Sequence, residues 1–479
     1  MAYMKDKAGK RLDSFVVRPL LSKRDVRNNN GGYSPSAAAT IGAWASATVI
    51  TSPRAIDAVA STGSLGVAAK QFFAYTCAGN ISVYGTGFPQ TLAVTAKSLS
   101  NGTRPTSYCI DFMYHGAAFD IRSLNIAGYY IRLTVDGVIV GAVSSHASNQ
   151  ILPITFPDVR TRRIRLEMSG TNFMGLNIGP NDSVWKPQVS GPRVIVAGDS
   201  YTEGTGAAYG SASGWVRAFA NTLGLDDVWA SGVGGTGYVN PGTNPPTTMK
   251  MMDRIGDITN YNPDIVIWAM GHNDAGYTKA QTQTEAAACF AAVKAANPKA
   301  QQIALSPLWG PGPSSFGSGA SLGVLNARDA IKDAAAAAGI PFVDLCEMPL
   351  EATPATSTLA SATTAGYATL PLTAPIPPGA TVHIGTYPAG ERREVTTVTG
   401  PASGVYTATI KPNMTNGYAA GTTVTEVGQS FFTGSGKVGG TTGFGNSDIL
   451  VGSDGAHPTQ AGHDALGVGI ASQLAKYVL

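Results

Sequence analysis

The chain has 479 residues, 58 of them Gly and 29 Pro, and only 13% are charged where about 25% is usual. That composition excludes coiled coils, long solvent-exposed helices and charge-driven disorder. The 43% of hydrophobic residues is enough for buried cores, and at ~150 residues per domain the length predicts about three folded units. The net charge of +3 is uneven: residues 1–27 carry eight Lys and Arg against three Asp, a net of +5, which leaves the other 452 residues at −2. A body of that charge lacks the clustered cations that phosphate binding needs, so no nucleic-acid partner is expected.

The basic start, MAYMKDKAGKRLDSF, is followed by no apolar h-region, so it does not read as a secretory signal peptide. No stretch approaches the ~18 consecutive apolar residues of a membrane span. Residues 28–53 contain no charged residue and break any apolar period with Asn, Gly, Ser and Pro, which predicts an extended linker. Residues 1–55 thus read as a basic arm plus linker, suited to assembly or anchoring.

Residues 56–190 read as a β-sandwich. Ile164, Leu166 and Met168 alternate with Arg163, Arg165 and Glu167, the period-2 pattern of a strand with one wet face. The runs YYIRLTV and VIVGAV flank Asp136-Gly137, a dipeptide that favours a tight hairpin turn. Four cysteines, Cys77, Cys109, Cys289 and Cys346, form no CxxC pair and no zinc-ligand spacing. Buried free thiols are the expectation, and whether Cys77 pairs with Cys109 stays open.

From Arg193 the rhythm changes to short apolar runs: VIVAG, VWASGV, DIVIWAMG, QQIALSPL and IPFVDL. Such runs suit strands buried on both faces. Helical segments at 214–224, 279–298 and 322–339 separate them, which predicts an α/β fold with a doubly wound parallel sheet. Residues 356–428 break that rhythm with Thr-rich alternating runs and read as a small all-β module inserted into the α/β unit, which spans 191–355 and 429–479 and closes with a helix from Thr459.

In doubly wound sheets ligands sit outside the carboxyl ends of the strands. Four strand-end sites carry chemistry there. Gly198-Asp199-Ser200 presents a hydroxyl on a tight turn. Gly232, Gly234 and Gly235 lie in SGVGGTG, where any of their N–H groups could face an oxyanion. Gly271-His272-Asn273-Asp274 offers a side-chain amide. Asp454-Gly455-Ala456-His457 places a carboxylate three residues ahead of an imidazole that it can orient. His463 is close to His457 in sequence, but no carboxylate cluster completes a metal shell.

These four sites, in this order, resemble the SGNH (GDSL-type) hydrolases, a family with a flavodoxin-like α/β fold. The resemblance implies ester hydrolysis without metal or organic cofactor. Ser200 would be the nucleophile, His457 the base and Asp454 its orienter, with an oxyanion hole of Ser200, Gly235 and Asn273. Asp199 and Asp274 would support loops. A sandwich ahead of such a unit resembles carbohydrate esterases of family two, which implies an acylated surface polysaccharide as substrate, with Tyr201, Tyr277, Trp309 and Phe316 as candidate substrate-binding aromatics. The arm and the inserted module resemble tail proteins of phages of actinobacteria. That implies a virion protein acting at the host surface, homo-oligomeric, as a trimer for instance, and joined to other tail proteins through its N-terminal arm. Two other readings stay open: a non-catalytic glycan-binding tail protein on the same scaffold, and a lipid or mycolate esterase.

Overall fold

The computed structural model describes residues 39–59, 71–77, 80–85, 92–97, 107–124, 130–144, 150–169, 171–189, 191–243, 249–307, 322–345, 355–376, 378, 380–386, 389–426, 437–439 and 447–478. They hold three sheets: an 11-stranded antiparallel one, a 5-stranded parallel one and a 6-stranded antiparallel one.

The first sheet is built on two long strands, Ser107–Leu124 and Gln150–Ser169. An unbroken strand would separate Phe112 from Phe119 by about 23 Å, yet their ring centroids are 5.5 Å apart. The pairing register shifts between Gly116 and Ala118, and there the sheet folds over onto itself. Tyr114 holds the corner, its Oη accepting from Ala118 N at 3.0 Å and donating to Asp182 Oδ2 at 2.7 Å. Ile110, Phe112, Phe119, Ile164, Leu166 and Phe173 fill the enclosed core. The Asp136-Gly137 turn has φ of 50° and 87°, as a tight hairpin between Tyr130–Val135 and Val138–Ser144 requires.

Two expectations need correction here. Part of the stretch read as linker joins this sheet: Thr40–Ile41 and Ala45 pair with the long second strand, and Arg54–Asp57 pairs with Asn172–Ile178. Uncharged backbone with no period of its own can still complete a sheet edge. The predicted wet face of Arg163–Glu167 is not wet, because Arg165 and Glu167 are buried. Arg165 bonds Asp111 Oδ2 at 3.0 Å and the carbonyl of Asp226 at 3.0 Å, Arg163 bonds Asp226 at 3.1 Å, and Glu167 pairs with Arg132. That face is polar because it seats on the neighbouring α/β unit, and alternation cannot tell water from a charged partner. Cys77 and Cys109 are free, buried thiols at the same junction, both reached by Arg217 Nη1, at 3.3 and 3.5 Å. Cys289 is also free and buried.

In the α/β unit the strands are β1 (Arg193–Gly198), β2 (Asp227–Gly232), β3 (Ile265–Ala269), β4 (Gln301–Leu305) and β5 (Phe342–Val343). All are parallel, in the order β2-β1-β3-β4-β5. Alternate residues of β1 face opposite layers, which is why the run is apolar throughout. Val194 and Val196 meet Trp215 and Phe219 of α2 (Trp215–Leu223) with Leu466 and Ile470 of α7 (Gln460–Val478). Ile195 and Ala197 lie in the opposite layer with Phe290 and Val293 of α4 (Lys279–Ala296) and Ile331 of α5 (Leu322–Ala338). Two short helices, α1 (Ser200–Glu203) and α3 (Gly256–Thr259), follow strand ends, and α6 (Ser447–Leu450) precedes α7. The third sheet, residues 356–426, has its own apolar core around Leu370, Val382, Val395 and Val424. It lies in sequence between β5 and α6. Strand order reverses between β1 and β3, so a crevice is expected at their carboxyl ends.

Candidate active site

β1 ends at Gly198 and the chain turns at once into α1. Asp199 caps that helix, its Oδ1 accepting from Tyr201 N–H at 3.1 Å, which places Ser200 at the first helical position. Gly232, paired with Gly198 across the sheet, must be Gly: a Cβ there would run into the backbone of Asp199, Thr202 and Glu203.

Ser200 Oγ lies 2.9 Å from His457 Nε2, although 257 residues separate them. His457 Nδ1 is 2.6 Å from Asp454 Oδ2. With Nδ1–H donating to the carboxylate, Nε2 is left to accept from the serine hydroxyl. Asp454 Oδ1 accepts from the backbone N–H groups of Ala456 and His457, each at 3.0 Å, so one side chain builds the turn and orients the ring. Burial would raise the Asp454 pKa, but those N–H groups and the imidazole outweigh it and hold the carboxyl below its usual range.

The glycine loop lies against the nucleophile: a Cβ on Gly234 would sit 3.5 Å from Ser200 Cβ. The structure separates the three candidate donors. Gly232 is in β2, and Gly234 N–H is taken by Glu203 Oε2 at 2.7 Å. Gly235, at φ +76°, has an N–H with no partner among the described residues. Asn273 Nδ2 donates to Thr236 O at 2.9 Å, which uses one of its two amide hydrogens and docks it beside Gly235. Asp274 is fully buried and accepts three N–H groups, from Tyr238, Val239 and Asn240, at 2.8 to 3.0 Å. It pins the loop and stands away from Ser200 Oγ in the hydrogen-bond pattern.

The candidate substrate aromatics fare differently. Tyr201 is 5% exposed, and its Oη donates to Ala456 O at 2.8 Å. Its ring packs 5.4 Å from His457, so it braces the histidine loop from beneath instead of lining an open cleft. Tyr277 is half-buried, with its N–H on Asp274 O. Trp309 and Phe316 lie outside the described residues. Glu203 and Arg254, both engaged with this loop or its strand ends, carry no sequence pattern that marks them beyond being charges in a chain poor in charge. Among the described residues no cluster of three His, Cys, Asp or Glu side chains is placed to hold a metal ion, and no helix is long and apolar enough to cross a membrane.

Two buried titratable groups make opposite demands on pH. Burial pushes the Asp199 carboxyl up to about 7 from 3.8, so the native state binds more protons than the unfolded chain between those values, and stability falls as pH rises through them. His463 is buried with Nδ1 accepting from Trp215 N–H at 3.2 Å and Nε2 donating to Thr205 O at 3.0 Å. Burial pushes it down from 6.5 to about 4, so its contribution is lost as pH falls through that window. The two slopes oppose each other between about 4 and 6.5. Urea midpoints across a pH series are therefore expected to steepen in opposite directions: D199N leaves a protein that weakens on acidification, and H463Q one that weakens as pH rises from 4 to 7. Each slope spans a few kcal/mol, at ~1.4 per pKa unit. Parallel profiles for both variants would contradict the assignment.

A parallel sheet whose carboxyl ends bring a serine, a histidine and an aspartate into one hydrogen-bonded chain has an α/β hydrolase architecture. Residues 196–368 match the GDSL-like Lipase/Acylhydrolase family, and the α/β unit has the SGNH hydrolase fold. The matched span includes Ser200, Gly235 and Asn273, and the Asp454–His457 turn lies beyond it. Among solved structures the chain is similar to a family two carbohydrate esterase from Clostridium thermocellum in complex with cellohexaose, at 16% identity over 57% of this chain and 88% of that one, TM-score 0.43. It is similar also to the salicylyl-acyltransferase SsfX3 from a tetracycline biosynthetic pathway, at 14% identity over 63% and 90%, TM-score 0.48. A third is the acetyl xylan esterase Est2A from the rumen bacterium Butyrivibrio proteoclasticus, at 14% identity over 61% and 90%, TM-score 0.41. Among curated proteins none matches the sequence.

Proposed function

We propose that this protein is a serine esterase that hydrolyses O-acyl esters, chiefly O-acetyl, on cell-surface carbohydrate through an acyl-enzyme. The observation that carries the reading is the unbroken relay, Ser200 Oγ to His457 Nε2 at 2.9 Å and His457 Nδ1 to Asp454 at 2.6 Å. Ser200 Oγ attacks the ester carbonyl while Nε2 takes its proton. The tetrahedral oxyanion is held by the N–H groups of Ser200 and Gly235 and the Asn273 amide. Collapse expels the sugar alkoxide, which recovers the proton from His457. Water, deprotonated by the same nitrogen, then releases the acid and restores Ser200. The chain's own residues supply every proton transfer.

A hydrophilic polymer suits the site, because the Asp454 side chain is 51% exposed and that of His457 25%. A long-chain lipid would leave that wet rim against apolar chain. The basic arm of residues 1–27 supports mounting on an oligomeric phage tail, from which the esterase would reach its substrate on the host. The test is acetate release from a panel of acetylated bacterial surface polysaccharides, with a p-nitrophenyl ester series and intact virions bearing the chain assayed alongside. Acetate release, rates that fall beyond butyrate and activity on virions are expected. Binding without release would favour a non-catalytic tail protein, and rates rising with chain length a lipid esterase.

A further inference from the structure

Arg254 ends a single 3-10 turn, Met251–Arg254, after the glycine loop, and it is 2% exposed. Its Nη2 donates to Gly198 O at 2.6 Å and its Nη1 to Ser231 O at 3.1 Å. Those are the carbonyls at the carboxyl ends of β1 and β2. The nearest carboxylate oxygen in an ion pair with it, Asp257 Oδ2, is 3.8 Å from Nη1, too long for a good hydrogen bond. Burying a cation with such loose compensation is costly, and burial pulls the Arg254 pKa down.

We propose that Arg254 is a positioning residue for ester hydrolysis, a buried guanidinium that fastens together the two strand ends leading to the backbone oxyanion donors of Ser200 and Gly235. The Gly198 carbonyl belongs to the peptide that leads into Asp199 and Ser200. It accepts Val233 N–H, at 3.1 Å, besides Arg254. The Ser231 carbonyl belongs to the peptide that leads into Gly232 and the loop ending at Gly235. Both peptide planes are therefore set by one rigid fork, and turning either would re-aim a donor N–H. A guanidinium presents several N–H groups at fixed spacing, whereas Lys offers a point charge that cannot hold both carbonyls in one geometry. The charge also lies on the side of the sheet ends where the oxyanion develops, in a water-poor interior where such fields act strongly.

The inference rests on the esterase reading, and active-site titration separates the two. The full-length wild type and its R254K and R254M variants are titrated with a fluorophosphonate that phosphonylates Ser200, and p-nitrophenyl acetate turnover is then expressed per titrated site. R254M is expected to lose about 10² in kcat per site, the scale of one oxyanion donor, with KM within about twofold. R254K is expected to lose about tenfold. Variants that were merely less well folded would show fewer titrated sites with unchanged kcat per site, and that result overturns the inference. R254K, which keeps the charge, decides alone if R254M is insoluble. A wild type that is neither titrated nor active overturns the esterase reading and this inference with it, whereas full titration with equal kcat in all three proteins overturns only the role of Arg254.

Discussion

Replacing Ser200 by Ala is expected to lower kcat for p-nitrophenyl acetate by about 10⁶, and His457→Ala by a similar factor, with the double substitution adding little. In the proposed mechanism the two side chains act as a unit. Without Oγ there is no acyl-enzyme, and without Nε2 there is nothing to take the hydroxyl proton at 2.9 Å. Activity should not vanish, because the Gly235 and Asn273 donors are untouched and such holes retain about 10³–10⁴ over water. Stability should hardly change, since the one side-chain bond of Ser200 in the described structure is to a partly exposed histidine, and surface changes of that kind stay within about 0.5 kcal/mol. Steady-state kinetics beside urea midpoints would check both halves. Equal turnover in wild type and S200A would remove Ser200 from the chemistry.

Asp454→Asn is expected to cost about 10⁴ in kcat while leaving the turn in place. The Asn carbonyl oxygen can still accept from Ala456 and His457 N–H, as Asp454 Oδ1 does. The amide nitrogen would then face His457 Nδ1 in place of Oδ2, which is 2.6 Å away in the native protein. A donor there favours the tautomer that carries its proton on Nε2, where the base must be free. Because N–H donors and the ring keep the native carboxyl below its usual range, Asp454 stays ionised at mildly acidic pH. A loss under tenfold at pH 8 would mean that another group orients the ring.

The strand ends were legible because strands buried on both faces read as continuous apolar runs, and the residues that follow each run must lie along one edge. GDS after β1 and GHND after β3 thus fall on the same edge by sequence pattern alone. Tyr201 could not be read correctly: as a residue it is an aromatic on a loop, and only the position of Ala456 makes its hydroxyl a brace. Arg165 and Glu167 look like solvent-facing charges by alternation, and only Asp226 and Arg132 opposite them reveal a buried junction.

The sequence by itself determined the doubly wound core and the strand-end positions of Ser200 and Asn273, because periodicity and turn chemistry are local and their signal survives in one dimension. The tertiary structure committed the Gly234 N–H to Glu203. It also decided that Arg254 fastens two strand ends and that a polar strand face is dry. Each of these depends on which distant group arrives opposite a given atom, and hydrogen-bond partners 23 to 61 residues away leave no periodic trace in either partner's own segment.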